Sequence, residues 1–311
     1  MRQILVNRLI QALMVAWGVG TLTFIFMRSL PGDMAYRIAA GRYGQDNVNA
    51  AAADMVRAEL GLDQPVLSAY FTWLTDLLQG NLGVSLISGA PVFQEVQHQL
   101  SHSLLLAAVA LLISALIALP IGIACGMRTG GWFDRSLLAV SALLRAQPVF
   151  VVGLLLILAF AVHIPLLPVA GYGTASHLVL PAFSLALVLA AVSSRVIRDS
   201  TQTVVQSDYY QFSRVKGLPA APTFQRHGLR NLSVPVIAFL GVQLITLIEG
   251  IVMIESLFAW PGIGHALAHA IFSRDIPMIQ GAALMMGLLF VILNTLIDLA
   301  CHWADPRGQL A

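Results

Sequence analysis

Charged residues are scarce: Asp, Glu, Lys and Arg make up 10% of the 311 residues, against about 25% in an ordinary soluble domain. That excludes a water-soluble globular enzyme. The net charge of +2 is too small and too dispersed for a nucleic-acid surface, so no nucleic-acid partner is expected. Lysine occurs once, as Lys216, and there is no GxxxxGK[ST] loop whose backbone N–H groups could cradle a triphosphate. The chain is not expected to hydrolyse ATP or to bind a cofactor. GxSxG, HExxH and aspartate-rich motifs are missing too, which argues against a membrane-embedded hydrolase. The two cysteines, Cys125 and Cys301, end apolar runs and lack CxxC or Cys/His spacing, so both read as packing thiols.

Long apolar runs are what the chain has in excess. Hydrophobic residues reach 58% and the mean hydropathy is +0.81. Crossing about 30 Å of hydrocarbon takes about 20 helical residues. Six runs suffice, at about 9–29, 103–126, 136–162, 178–197, 233–255 and 278–300. The first is too long for a signal-peptide core and reads as a retained anchor. The expectation is an all-α integral membrane protein, with residues 1–311 forming one transmembrane domain of six helices. Orientation follows from Lys and Arg in the shorter loops. Residues 195–232 hold Arg195, Arg198, Arg214, Lys216, Arg226 and Arg230 against Asp199 and Asp208, a balance of +4. That side is expected to be cytoplasmic, and both termini with it.

Two stretches between runs carry further information. Residues 30–102 read as an extracytoplasmic loop with short helices. Helical composition over 50–62 is interrupted at Gln64-Pro65 and resumes as an amphipathic stretch over 66–78. Gly80-Asn81-Leu82-Gly83 then turns, and Pro91 starts a helix leading through Glu95 into the second run. A small folded cap outside the membrane is expected. In the cytoplasmic segment 198–232, residues 208–216 can form a helix, Gly217 supplies a left-handed stop, Pro219 prevents continuation and Pro222 can begin a second helix. Such a bent, positive pair with exposed aromatics suits docking onto a cytosolic partner; a solvated positive-inside loop is the plainer alternative.

The order Asp208-Tyr209, Arg214, Lys216-Gly217-Leu218, Arg226-His227, Leu229-Arg230-Asn231 and Pro235 resembles the coupling motif of bacterial ABC-transporter permeases of the dipeptide, oligopeptide and nickel uptake family. Leu30-Pro31-Gly32-Asp33 resembles that family's signature after the first span. Leu60-Gly61-Leu62-Asp63-Gln64-Pro65, with Tyr70, Trp73 and Leu74, resembles its outer-loop signature. Gly80, Leu82, Gly83, Ser85, Pro91 and Val92 continue the match. Glu255, the run from Phe258 through Trp260-Pro261-Gly262-Ile263-Gly264, Arg274-Asp275 and Asp305-Pro306-Arg307 complete it.

The resemblance implies the type I permease fold of an ABC importer in the bacterial cytoplasmic (inner) membrane. It further implies a second related permease subunit, two cytosolic ATP-binding subunits and an extracytoplasmic solute-binding protein. Dipeptides, oligopeptides, glutathione, nickel and metal chelates are all solutes of such systems. By the same resemblance Asp208, Tyr209, Arg214, Lys216, Gly217, Arg226, His227 and Asn231 couple the chain to the ATPase. The outer loop and the 256–275 segment, with Glu255, Trp260, Pro261, Gly262, Gly264, Arg274 and Asp275, would dock the binding protein or form an outer gate. Phe212, Ser213 and Val215 stand where the family usually has small residues, which implies a roomier ATPase groove. A passive channel or a membrane enzyme is the alternative, and co-purification of ATPase subunits separates them.

Three further groups stand out. Glu249 lies about six residues inside the fifth run, about 9 Å deep, where an unpaired carboxylate is expensive. It reads either as a polar group of the translocation path or as a hydrogen-bonded glutamate at a subunit interface. Glu255, nearer the membrane surface, is expected to cap the turn at Trp260-Pro261-Gly262. Pro261 can begin a short outer helix with Ile263, Leu267 and Ile271 on one face and His265 and His269 on the other. The two histidines at i, i+4 could share a metal ion or simply be solvated, and Glu95, His98 and His102 also share a face.

Overall fold

The computed structural model describes residues 2–29, 32–44, 48–60 and 65–304. Apart from one bridge between Val84 and Pro91, regular structure among them is helical. In hydrocarbon only intra-helical bonds satisfy an isolated segment's backbone, so each apolar run becomes a helix. In chain order the helices are α1 (Arg2–Ser29), α2 (Met34–Tyr43), α3 (Ala50–Leu60), α4 (Val66–Leu78), α5 (Val92–Met127), α6 (Trp132–Ala146) and α7 (Val149–Ile157). They are followed by α8 (Ala175–Gln206), α9 (Asp208–Val215), α10 (Ala220–Thr223), α11 (Leu229–Gly250), α12 (Val252–Leu257), α13 (Ile263–Ser273) and α14 (Ile276–Ala304). Wider π-type turns extend α7 through Leu158–His163 and join α10 to α11 through Phe224–Gly228.

Among the described residues five helices are long and apolar enough to cross a membrane, and a sixth crossing exists if α6 and α7 count as one. The run at 136–162, expected as one span, is broken: α6 and α7 meet at 97°. The cause is Pro148, whose ring pushes the preceding residue out of the helical region. Gln147 is accordingly extended, with φ −94° and ψ 136°. Pro120, Pro181 and Pro235, by contrast, sit inside α5, α8 and α11. Helices also outrun their apolar runs. α5 starts at Val92, so Glu95, His98 and His102 belong to it, and α8 continues past residue 197 to Gln206.

Contacts divide the chain into two compact units. The first comprises Met1–His102 and Pro261–Ile292. Its cap is built on α2 and α3, which bury Ala35, Ile38, Ala39, Ala53 and Val56 together. Asp33 caps α2, accepting from the Ala35 N–H at 2.9 Å, and pairs with Arg57 at 2.6 Å. Burial raises the Asp33 pKa, but the Arg57 and backbone hydrogen bonds outweigh it and hold the carboxyl below its usual 3.8.

The second unit comprises Ser103–Trp260 and Leu293–Ala311. α8 is its axis, packed against α6, α7 and α11. α5 reaches α8 through two glycines. A Cβ on Gly122 would lie 2.8 Å from the Ser194 carbonyl oxygen, and one on Gly126 would lie 2.5 Å from that of Arg198. Such small-xxx-small spacing lets membrane helices touch backbone to backbone. Just beyond, buried Asp134 at the start of α6 accepts from Arg198 Nε and, at 2.7 Å, from Nη2, and takes the Gly130 N–H at 2.8 Å. α5, α6 and α8 are therefore locked together at this end.

Candidate coupling site

α9 begins one residue after α8 ends, with Ser207 between them in an extended conformation. Asp208 occupies the first turn and Arg214 the last, each complementing the helix dipole. At the C-terminus the Gly217 N–H donates to Arg214 O at 2.9 Å and the Leu218 N–H to Ser213 O at 3.3 Å. This is the paired closure that needs a left-handed residue, and Gly217 supplies it with φ +85°. Arg214 Nη1 adds a bond to Leu218 O at 2.6 Å. The expected helix, bend and helix are present, but the second helix starts at Ala220, ahead of Pro222, and runs without a stop into α11.

Two aromatic anchors decide how this segment is held. Tyr210 is 3% exposed and Phe224 5%, and both enter a core with Ala118, Ala190, Ile197, Val204, Leu232 and Val236. Sequence reading did not single out either anchor. The opposite face of α9 is bare: Tyr209, Phe212 and Val215 are exposed, Val215 by 84%, as is Leu218 beyond the helix end. Lys216 lays its Nζ 4.4 Å from the centroid of the Phe212 ring, a cation–π contact at the surface. Asp208, Arg226 and Arg230 are exposed and Asn231 is half-buried. The side chains of His227 and Glu249 lie outside the described residues.

The residues expected at an outer docking surface look different. In the second unit Glu255 is fully buried, accepts from Ser103 Oγ, and offers its main-chain oxygen to the Trp260 N–H at 2.8 Å. The turn is thus closed by the Glu255 carbonyl, while its carboxylate is spent inside. Trp260, 2% exposed, packs edge-on against Tyr172 with centroids 5.3 Å apart. In the first unit Gly262, Gly264, Arg274 and Asp275 are buried and Pro261 half-buried. Arg274, in the left-handed region at φ +56°, donates to Gly32 O at 3.1 Å. Asp275 accepts from Ser85 Oγ, from the Leu86 N–H at 3.1 Å and from the Met278 N–H at 3.4 Å. Apart from Pro261, these side chains are enclosed within the chain. Ile271 departs from its expected face and is exposed, with Phe272 beside it.

His265 and His269 line a cavity of about 330 Å³ with Glu95, Gln99, Ser88 and Asp275. The rings of the pair lie 4.6 Å apart, as do those of His98 and His102. Burial, and secondarily His269, hold the His265 pKa below 6.5. Among the described residues no group of three His, Cys, Asp or Glu side chains could hold a metal ion.

Residues 118–308 match the family described as binding-protein-dependent transport system inner membrane component, and residues 1–107 match its N-terminal companion. The chain belongs to this family. It is 37% identical over 290 residues to the glutathione transport system permease protein GsiC of Pectobacterium atrosepticum, covering 93% of this chain and 92% of that one. The probable peptide ABC transporter permease protein y4tP of Sinorhizobium fredii is 33% identical over 311 residues, 97% and 98% of the two chains. GsiC of Escherichia coli is 32% identical over 301 residues, 97% of each. As a member, the chain is a permease subunit of an ABC importer in the bacterial inner membrane. Such permeases are not themselves enzymes, and they operate with an ATPase and a solute-binding protein.

Proposed function

We propose that this permease carries a small peptide or glutathione across the membrane and that α9 is the helix an ATPase subunit grips. It would act beside a second related permease and two ATPase subunits, with both termini and segment 198–232 in the cytoplasm. The observation that carries the coupling role is the division of α9 into a face pinned by Tyr210 and a bare Tyr209/Phe212/Val215 face. Movement of α9 reaches α8 directly, α11 through Phe224 and Val236, and α5 through Gly122 and Gly126. Asp208, Arg214, Arg226, His227 and Asn231 would orient the contact, and Lys216 would add a charge beside the Phe212 ring.

The peptide-like solute is supported by the names of the three relatives, none of which mentions nickel. Glu249, in the last turn of α11, is the proposed polar group of the path. The test reconstitutes the permease with its ATPases and binding protein in vesicles and measures uptake of labelled glutathione and a labelled dipeptide. ATP-dependent uptake of either is expected. Failure of both, with ATPase activity still stimulated by another solute, overturns the substrate and leaves the coupling role standing. Glu249→Gln is expected to lower uptake with assembly intact; unchanged uptake removes Glu249 from the path.

A further inference from the structure

The amphipathic stretch 66–78 was expected to belong to a water-exposed cap, yet α4 takes no part in the α2–α3 core and contains no buried residue. It leans on the first membrane-spanning helix instead. Tyr70 hydroxyl and Thr21 Oγ1 are 2.9 Å apart, and the Phe24 ring lies 5.2 Å from that of Tyr70 and 5.9 Å from that of Trp73. Trp73 is pressed so close to Gly20 that a Cβ there would meet its ring at 2.5 Å. Gly20 lies within the apolar span Val6–Phe26, six residues before its end, or about 9 Å at 1.5 Å per residue. The Trp73 edge of α4 is therefore held at the depth of the hydrocarbon.

The rest of the α4 surface has two distinct stripes. Leu67, Phe71 and Leu78, at i, i+4 and i+11, are 72%, 60% and 81% exposed. Ser68, Thr72 and Thr75, at i, i+4 and i+7, are exposed on a neighbouring stripe. Asp76 is the only charged residue in the helix, too few for a helix bathed in water on all its free sides. Leu22, Ile25 and Phe26 of α1 are exposed as well. Tyr and Trp, with apolar bodies and polar edges, favour the boundary between acyl chains and headgroups.

We infer that α4 is an interfacial membrane helix, with Leu67, Phe71 and Leu78 in the acyl chains beside α1 and Ser68, Thr72 and Thr75 toward headgroups and water. The occupant of the stripe is lipid because the helix is seated through Tyr70 and Trp73 on a span apolar enough to cross a membrane, and the stripe beside that contact is exposed and apolar. The first loop would thus have its folded cap outside the membrane and a separate foot within the outer boundary. Foot and cap are joined through residues 61–64, which lie outside the described residues.

The test uses the assembled transporter in phosphatidylethanolamine/phosphatidylglycerol vesicles, with Cys125 and Cys301 replaced by Ala. Spin labels are placed singly through Leu67→Cys, Phe71→Cys, Ser68→Cys and Thr72→Cys, all at exposed positions. Accessibility is read with oxygen, which concentrates in lipid, and with a water-soluble nickel chelate. Labels at 67 and 71 are expected to show an oxygen-to-chelate ratio several-fold above those at 68 and 72. Equal and high chelate access at all four sites overturns the inference, because the helix is then solvated. Exclusion of both reagents at 67 and 71 overturns it too, because the stripe is then covered by protein.

Discussion

The helix α9 and the segment 261–275 have similar sequences in outline: each is short, interrupts the apolar runs, mixes aromatics with charge and turns on a left-handed residue. The residues that the resemblance marks in them are held in opposite ways, although Ile271 and Phe272 of the second segment are exposed too. α9 is held by one buried tyrosine and leaves its other aromatic and aliphatic groups bare. The 261–275 segment encloses its distinctive residues and spends their polar groups internally, Asp275 on Ser85 and two backbone N–H groups, Arg274 on Gly32. A helix offered to a partner needs few anchors and a free face, whereas polar groups enclosed within a segment need their hydrogen-bond partners inside.

The sharpest test of this contrast removes the anchor of α9. Tyr210→Ala empties a buried aromatic site and should cost about 3 kcal/mol, the usual loss for truncating a large core side chain. The second unit should denature earlier in detergent, and ATPase stimulation should fall with it. Asp275→Ala should cost less, about 2 kcal/mol, because it leaves the Ser85 hydroxyl and the Leu86 N–H without their acceptor. Its loss should register as proteolysis of the 81–90 loop, while the complexes that do form keep wild-type ATPase stimulation per molecule. A loss of stimulation out of proportion to assembly would make the segment part of the coupling machinery and erase the contrast.

Gly217→Val separates folding from coupling. A β-branched residue at φ +85° incurs the steric cost of the left-handed region, about 1 kcal/mol or more, and shifts α9 against α10. Nothing lies within 4 Å of a Cβ built there, so the penalty is conformational only. A membrane-inserted subunit that loses the ATPases, or binds them without solute-stimulated hydrolysis, is the expected outcome; wild-type complex recovery and stimulation would reduce the segment to a solvated loop. Phe212→Ala should change stability by less than about 0.5 kcal/mol, as surface changes usually do, yet lower stimulation several-fold. Lys216 would lose its ring but keep its charge.

Much of the fold was legible because membrane helices advertise themselves through length and hydropathy. The helix breaks at Gly217 and Pro219 were legible for the same reason, being local backbone chemistry. So was the corner at Gln147-Pro148, which stands in plain view inside the 136–162 run and was outweighed by its hydropathy. The Gly122-x3-Gly126 spacing also carried a readable packing signal. What could not be read was pairing across the chain. Asp134 and Arg198 are 64 residues apart, and Ser103 and Glu255 are 152 apart. Whether an acid is exposed or enclosed depends on which distant helix arrives beside it. Tyr210 and its neighbour Tyr209 are chemically alike in the sequence; only the arrival of α8 and α11 makes one the anchor and the other the free face.

The smallest effect concerns His265, in the 261–275 segment and outside the membrane-spanning helices. Burial first, and the neighbouring His269 second, depress its pKa below 6.5, so the folded state binds that proton less readily than the unfolded one. Stability from this residue is therefore present above about pH 6.5 and is lost as pH falls through the lower, folded value. Asp275 and Glu95 line the same cavity, Asp275 accepting from Ser85 Oγ and two backbone N–H groups and Glu95 from Ser88 Oγ at 2.6 Å. Hydrogen exchange in α13 should accelerate modestly between about pH 8 and about pH 5 after correction for the intrinsic rate, and His265→Gln should flatten that dependence. The same comparison on α9, which contains no histidine, serves as the internal reference. An equal acid response in α9 would assign the effect to the whole chain, and none in α13 would mean that its frame tolerates a charged imidazole.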